Sequence, residues 1–400
     1  MPQTPVKSDA ERNTMAMPSQ DPWYTAPSCK LKSHSPGTVL SVCKVLDGLS
    51  VYNNAAEAYH LMYRTTDSHY KPTWAVTSLL VPKSPCTLNS GHMALVSYQI
   101  AYNSPSIDWS PSYRIFEAPL ENKYGIPTDH DKINLMLGRG WYVAVPDFEG
   151  PRAVFTATVS CGHAVLDGLR SAISYLRYNN VETDKEIANF KYAIDLTGSV
   201  LGSLVSDVNS LFRLSNGTAY AGNVALAILG LVNEYPELDT YLQSRLKTEG
   251  PQNAASFLTG RKLDSLGAFK AFQGQDIYSY FIGGEADFKQ SPLFSKIRHV
   301  EWMLGYHGVP QIPLYIHKAI QDEMAPIDET DHLVSHYRRF GCQILYERNT
   351  AGRHVAEIVN GQERALEWLA AAFVGFRNPS SDTFETRDVT VDFFEPPKFS

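Results

Sequence analysis

Two polar residues in the last third of the chain are placed as an acid and a base would be. They are Asp322, in Pro313–Pro326 (PLYIHKAIQDEMAP), and His354, in Thr350–Ile358 (TAGRHVAEI). Asp322 follows an apolar run, Ile312–His317, that reads as a strand, and its loop is closed by Pro326. In open parallel sheets, functional groups gather beyond the carboxyl ends of the strands. A carboxylate there can orient a histidine and stabilise its imidazolium. His354 follows a second strand-like run, Gln343–Glu347, in a loop of small residues that can hold an imidazole out as general base and acid. The plain alternatives are a turn aspartate and one of twelve ordinary histidines.

No nucleophile is legible beside them. The chain has no G-x-S-x-G, and the closest string, Gly198-Ser199-Val200-Leu201-Gly202, has its serine one place too early. Acid then base, in the last two strand–loop units, is the chain order of Ser…Asp…His hydrolases. Other candidates carry less. His163, after Gly162, could reach a site but also fits capping or packing. Asp147 and Glu149 (PDFEGP) could share acid–base work, but they equally fit a structural turn. Gly138–Gly140 makes no G-x-G-x-x-G, and there is no Walker A, H-E-x-x-H or Cys/His cluster. Neither a nucleotide cofactor nor a metal is expected.

The elements that must position Asp322 and His354 follow from periodicity. Tyr59–Arg64, Thr73–Val81, Met93–Ile100 and Trp141–Pro146 read as strands, the last two as near-continuous apolar runs buried on both faces. His163–Tyr178 reads as a helix, and Phe190–Leu196 as a further strand. Ala219–Tyr235, Leu238–Thr248 and Leu258–Phe281 form a helical block. Alternation then resumes with the Ile312–His317 strand, a Glu329–Phe340 helix, the Gln343–Glu347 strand and an Ile358–Phe373 helix. This predicts an α/β fold: a mostly parallel, α/β-hydrolase-like sheet with a helical cap insertion. The expected organisation is a disordered segment 1–20, a first core part 21–215, a cap 216–306, a second core part 307–376 and a tail 377–400 lying against the core.

Bulk properties narrow the function. A 400-residue chain exceeds the usual single-core limit of roughly 250–300 residues, which suits a core with an insertion. A net charge of −7 argues against nucleic-acid partners and polybasic membrane anchoring. No apolar run approaches the ~18 residues of a transmembrane span, and residues 1–20 lack the apolar stretch of a signal peptide. Read literally, that places the product in the cytoplasm. Five cysteines make no metal-type spacing; Cys29 and Cys43 could pair, or stay as buried thiols. Asn216-Gly217-Thr218 is a glycosylation triplet of the kind that also arises by chance.

Several longer strings resemble the fungal secretory lipase family. Asp21-Pro22-Trp23-Tyr24 resembles its mature N-terminus, and Ser97–Ser104 (SYQIAYNS) with Ser110-Pro111-Ser112-Tyr113 its oxyanion-side loop. Arg139–Pro151 (RGWYVAVPDFEGP), Gly162–Gly168 (GHAVLDG) and the Asn216–Gly230 entry to the cap are similar as well. The resemblance runs from Asp21 to about Phe373. It implies an exported carboxylic ester hydrolase that acts on an acyl ester, of a lipid or a secondary metabolite, with no cofactor. It also implies Asp322 as triad acid, His354 as triad base and Asn103, where the family usually has aspartate, as a backbone oxyanion donor. Trp109 stands where the family has a disulfide cysteine.

The chain departs from the family in one place. In the family, a strand and a G-Y-S-G-G elbow follow the helix that begins at His163. Here about twenty residues are missing between about Tyr178 and Asn189, and Asn189–Ser203 fits the later family segment. A rival register makes Thr197-Gly198-Ser199 a degraded elbow with Ser199 as nucleophile. A chain without that elbow has a second reading, a catalytically inactive relative that binds an apolar ligand or a partner.

Overall fold

The computed structural model describes residues 10–12, 15–26, 28–88, 91–118, 128–179, 197–375 and 384–393. Its strands are β1 (Ala10–Arg12), β2 (Val39–Val45), β3 (Ala55–Thr66), β4 (Pro72–Pro82), β5 (Leu95–Ser97), β6 (Tyr142–Pro146), β7 (Ser199–Gly202), β8 (Leu314–Ala319), β9 (Ile344–Asn349) and β10 (Thr386–Val389). They form two sheets, one ordered β1-β2-β3-β4-β6-β5 and the other β10-β9-β8-β7.

The second sheet is parallel throughout. The first is mixed, because β2, β3, β4 and β6 pair antiparallel while β1/β2 and β5/β6 pair parallel. Buried β6 and β8 read as unbroken apolar runs except for His317 and Lys318. The strand expected at Met93–Ile100 shortens to β5. The strand expected at Phe190–Leu196 lies outside the described residues.

Helices cover both faces. Thr158–Tyr178 starts five residues before the expected His163 and lays Ala172 and Leu176 on Val42, Leu61, Leu79 and Ala144 of the first sheet. Asp129–Gly138 packs Ile133, Met136 and Leu137 on the opposite face, against Leu80, Val143 and Val145. The helix Gln362–Phe373 joins the two sheets: Leu366 packs with the first, Trp368 and Ala372 with Tyr315 and Leu345 of the second. β5 ends one sheet and β7 ends the other; among the described residues no strand hydrogen-bonds between them.

Between β7 and β8 the chain folds into helices with a core of their own. Ala221–Glu234 is buried along almost its whole length, wrapped by Phe257, Phe272, Phe281, Phe294 and Trp302. A helix that is apolar all round needs such a surround. The block is tied to the 101–109 loop by Ser104 Oγ donating to Leu263 O at 2.9 Å and Trp109 Nε1 to Lys262 O at 3.1 Å.

At the N-terminal end, Pro18 is buried and the Ser19 hydroxyl donates to Asp108 at 2.8 Å, so this part of the expected 1–20 leader packs on the body. At the other end, β10 extends the second sheet beside β9. Pairing of Cys43 with Cys29 involves a side chain outside the described residues. No described helix is long and apolar enough to cross a membrane.

Candidate active site

Asp322 and His354 come together just past the carboxyl ends of the adjacent strands β8 and β9. His354 Nδ1 lies 2.8 Å from Asp322 Oδ2. The aspartate is buried and its loop is wrapped around it, with Oδ1 accepting the backbone N–H groups of Met324 (2.9 Å) and Ala325 (2.8 Å). Burial by itself would raise its pKa. The hydrogen bond and charge of His354, and then those of Lys318, outweigh burial and bring it down to about 2. The carboxylate is therefore ionised and oriented, as a group that holds an imidazole must be.

His354 opens the helix His354–Asn360, and its backbone is held as firmly as its ring. Its N–H donates to Glu323 Oε2 at 3.0 Å, and its carbonyl accepts the Ser203 hydroxyl at 2.8 Å. Ser203 follows β7 with a left-handed backbone (φ +48°), which aims its side chain beneath the histidine. Below, His317 bonds Glu357 at 3.0 Å, and Glu357 also accepts Asn349 at 2.6 Å.

Asn103 also has a left-handed backbone, φ +43°, which asparagine tolerates better than most residues. The backbone N–H groups of Ser104 and Asn103 face the Glu149 carboxyl and act to lower its pKa, without a hydrogen bond of ordinary geometry. Burial dominates and holds that carboxyl well above its usual range. As an oxyanion donor, Asn103 would have to share its N–H with Glu149 or withdraw it.

The remaining candidates have structural surroundings. Asp147 accepts both the N–H (2.7 Å) and the hydroxyl (2.5 Å) of Ser112, deep in the core. His163 Nδ1 meets Thr66 O at 3.2 Å. Ser199 starts β7, in register with Leu314 at the amino end of β8, while Asp322 and His354 follow the other end of the sheet. Four strand residues span ~13 Å, so Ser199 is on the wrong side of the sheet for this pair. Residues 180–196 lie outside the described residues, and their sequence contains no serine and no cysteine.

Three neighbours of the pair escaped the sequence reading: Lys318, Glu323 and Ser203. Lys318 had a signal, a lone cation within an otherwise buried apolar strand, where lysine is rarely found unpaired. Glu323 and Ser203 had none, because their roles depend on where β7 and the loop after β9 meet. Among the described residues no group of three or more His, Cys, Asp or Glu could hold a metal.

The sequence profile of the secretory lipase family matches residues 117–380. The chain is 38% identical to the trichothecene C-3 esterase of Fusarium sporotrichioides, over 89% of this chain and 84% of that one. It is 34% identical to a probable trichothecene esterase of Stachybotrys chartarum, over 97% of this chain and 84% of the relative. Its fold matches the X-ray structure of Candida antarctica lipase A with a TM-score of 0.79, at 22% identity, over 94% of this chain and 90% of the other. With an α/β-hydrolase fold and relatives that are esterases and lipases, this chain belongs to the secretory lipase family of ester hydrolases.

Proposed function

We propose that the protein cleaves an acyl ester of a trichothecene-type metabolite, with His354 as general base and acid and Asp322 as the carboxylate that orients it. The observation that carries this is the 2.8 Å bond between His354 Nδ1 and Asp322 Oδ2 beyond the ends of two adjacent parallel strands. A base must have its tautomer fixed by a partner at Nδ1, which leaves Nε2 for the proton in flight. The two trichothecene esterases named above favour that substrate class over a long-chain lipid. In the same reading, residues 21–215 and 307–376 form the core, 216–306 a cap over the site, 377–400 a tail, and the Asn103 backbone meets the oxyanion. Export agrees with the family.

The absent elbow favours a second reading, a catalytically inactive relative that binds an apolar ligand, such as the uncleaved ester, or a partner. Two observations support it: the sequence has no G-x-S-x-G, and its nearest approximation, Ser199, begins β7 at the far end of the sheet. Loss of a triad nucleophile costs on the order of 10⁶ in turnover.

One experiment separates the two. Purified protein is treated with a fluorophosphonate, the adduct is mapped by peptide mass, and release of acetate from a C-3 acetylated trichothecene is followed in parallel. A single labelled serine, with turnover abolished in His354→Ala, is the hydrolase. Folded protein with neither label nor turnover, yet binding the ester, is the inactive relative; sequencing the transcript across Tyr178–Asn189 then tests whether the elbow is encoded.

A further inference from the structure

β8 places an ammonium inside the core. Lys318 is fully buried, and its Nζ donates to Asp322 Oδ2 at 2.7 Å and to the Leu204 carbonyl at 2.8 Å. Asp322 Oδ2 is the same atom that meets His354 Nδ1. With Met324 and Ala325 on Oδ1, one carboxylate has four donors. A carboxylate so surrounded is fixed in place and resists protonation.

The bonds close a circuit. Lys318 grips Leu204; the preceding residue, Ser203, holds the His354 carbonyl; His354 bonds Asp322; and Asp322 returns to Lys318. The turn after β7 is thereby fastened to the loops after β8 and β9. β7 needs this, being four residues long and, among the described residues, paired on one side alone.

We propose that Lys318 is a positioning residue of the acid–base pair. It keeps Asp322 ionised and, by holding the same Oδ2 that meets His354, fixes that carboxylate against the ring. The proposal rests on the reading of Asp322 and His354 as acid and base. The charged groups facing the ammonium are Asp322 and Glu323 on its own loop and Glu329 on the helix Ile327–Arg339, with His354 across Asp322. Burial pulls the lysine's pKa down, and Asp322 is the strongest opposing influence. Removing one member of a buried charge pair leaves the other uncompensated, so the charge and the hydrogen bonds need separate tests.

The experiment is a ¹³C-carboxyl and imidazole NMR titration of the wild type, His354→Gln and Lys318→Gln, the last keeping an N–H donor without the charge. In His354→Gln, Lys318 with the Met324 and Ala325 N–H groups should hold Asp322 below the ordinary value of 3.8; a return to 3.8 or above overturns the proposal. In Lys318→Gln, the Asp322 midpoint should rise toward 3.8. A folded Lys318→Gln whose melting temperature drops while the Asp322 midpoint stays put makes the lysine purely structural and also overturns it. If Lys318→Gln does not fold, the His354→Gln titration decides alone. None of these readouts needs turnover, so the proposal and the esterase reading fail separately.

Discussion

The backbone N–H of His354 donates to Glu323 Oε2 at 3.0 Å, one residue along from the Asp322 carboxylate that holds the same histidine's ring. Consecutive acidic residues thus grip one histidine from two directions, one fixing the ring and the other the start of its helix. The arrangement divides the work into chemistry and placement, and substitutions can separate them.

In the proposed reading Asp322 is the chemical half. In Asp322→Asn the ring loses its anionic partner, and turnover should fall about 10⁴-fold, the cost of the wrong tautomer in a triad. Stability should fall as well, by about 3–5 kcal/mol, since the buried Lys318 ammonium is left without its counter-charge. Steady-state kinetics and denaturant unfolding on the same preparation check this. Unchanged stability would mean that Lys318 is neutral or finds another partner.

Glu323 is the placement half. It acts as an N-terminal acceptor for the helix His354–Asn360, so Glu323→Ala should cost about 1 kcal/mol. Its effect on turnover should be much smaller than that of Asp322→Asn and should fall mainly on kcat, because the base is misplaced rather than removed. Glu323→Gln keeps an acceptor and should restore most of the loss. A variant as inactive as Asp322→Asn would give Glu323 a direct role in the chemistry.

Buried carboxyls set the pH range of the fold. Burial pushes Asp147 up to about 7 despite its bonds to Ser112, and pushes Glu234 up to about 7 despite Arg152. Both bind a proton more tightly folded than unfolded, so their contribution is complete below their ordinary values of 3.8 and 4.5 and is lost as pH rises through about 7. Asp322 works the other way: its contribution is present above 3.8 and is lost as pH falls toward about 2. The melting temperature should therefore peak near about pH 4, decline up to about pH 7 and level off above it. A melting temperature that climbs steadily from pH 5 to pH 8 would contradict the assignment.

The sequence made the Asp322–His354 pair legible because both residues follow apolar runs too regular to be loops, Ile312–His317 and Gln343–Glu347, and these became β8 and β9. The helical block was legible too, in the unbroken small apolar run at Ala219–Tyr235. What stayed hidden depends on long-range pairing. β2 is short and carries Ser41 and Lys44 between its apolar residues, so only its antiparallel partner β3 makes it a strand. β7, the string that came nearest to G-x-S-x-G, is a strand through its pairing with β8, and that register moves Ser199 away from the site and brings Ser203 into it. The family resemblance implies the Asn103 N–H as an oxyanion donor, but that N–H faces Glu149, a residue 46 positions later.

Gly361 offers a test of the layer beneath the site. It separates the helix that starts at His354 from the helix Gln362–Phe373, with an ordinary φ of −84°, so its lack of a side chain is needed for space and not for backbone freedom. A Cβ there would lie 1.9 Å from His317 Nδ1, the atom that bonds Glu357. Gly361→Ala must drive the imidazole off that carboxylate, and the buried glutamate then keeps only Asn349 and the longer contact to Arg364 at 3.5 Å. Overpacking of this kind costs about 1–3 kcal/mol, and the lost buried bond adds to it. The melting temperature should drop while ester affinity, read from KM, stays near wild type, because His317 is buried and bonds Glu357 rather than Asp322 or His354. A variant as stable as the wild type would show that His317 has room to turn, and that the His317–Glu357 bond does not hold the two helices in place.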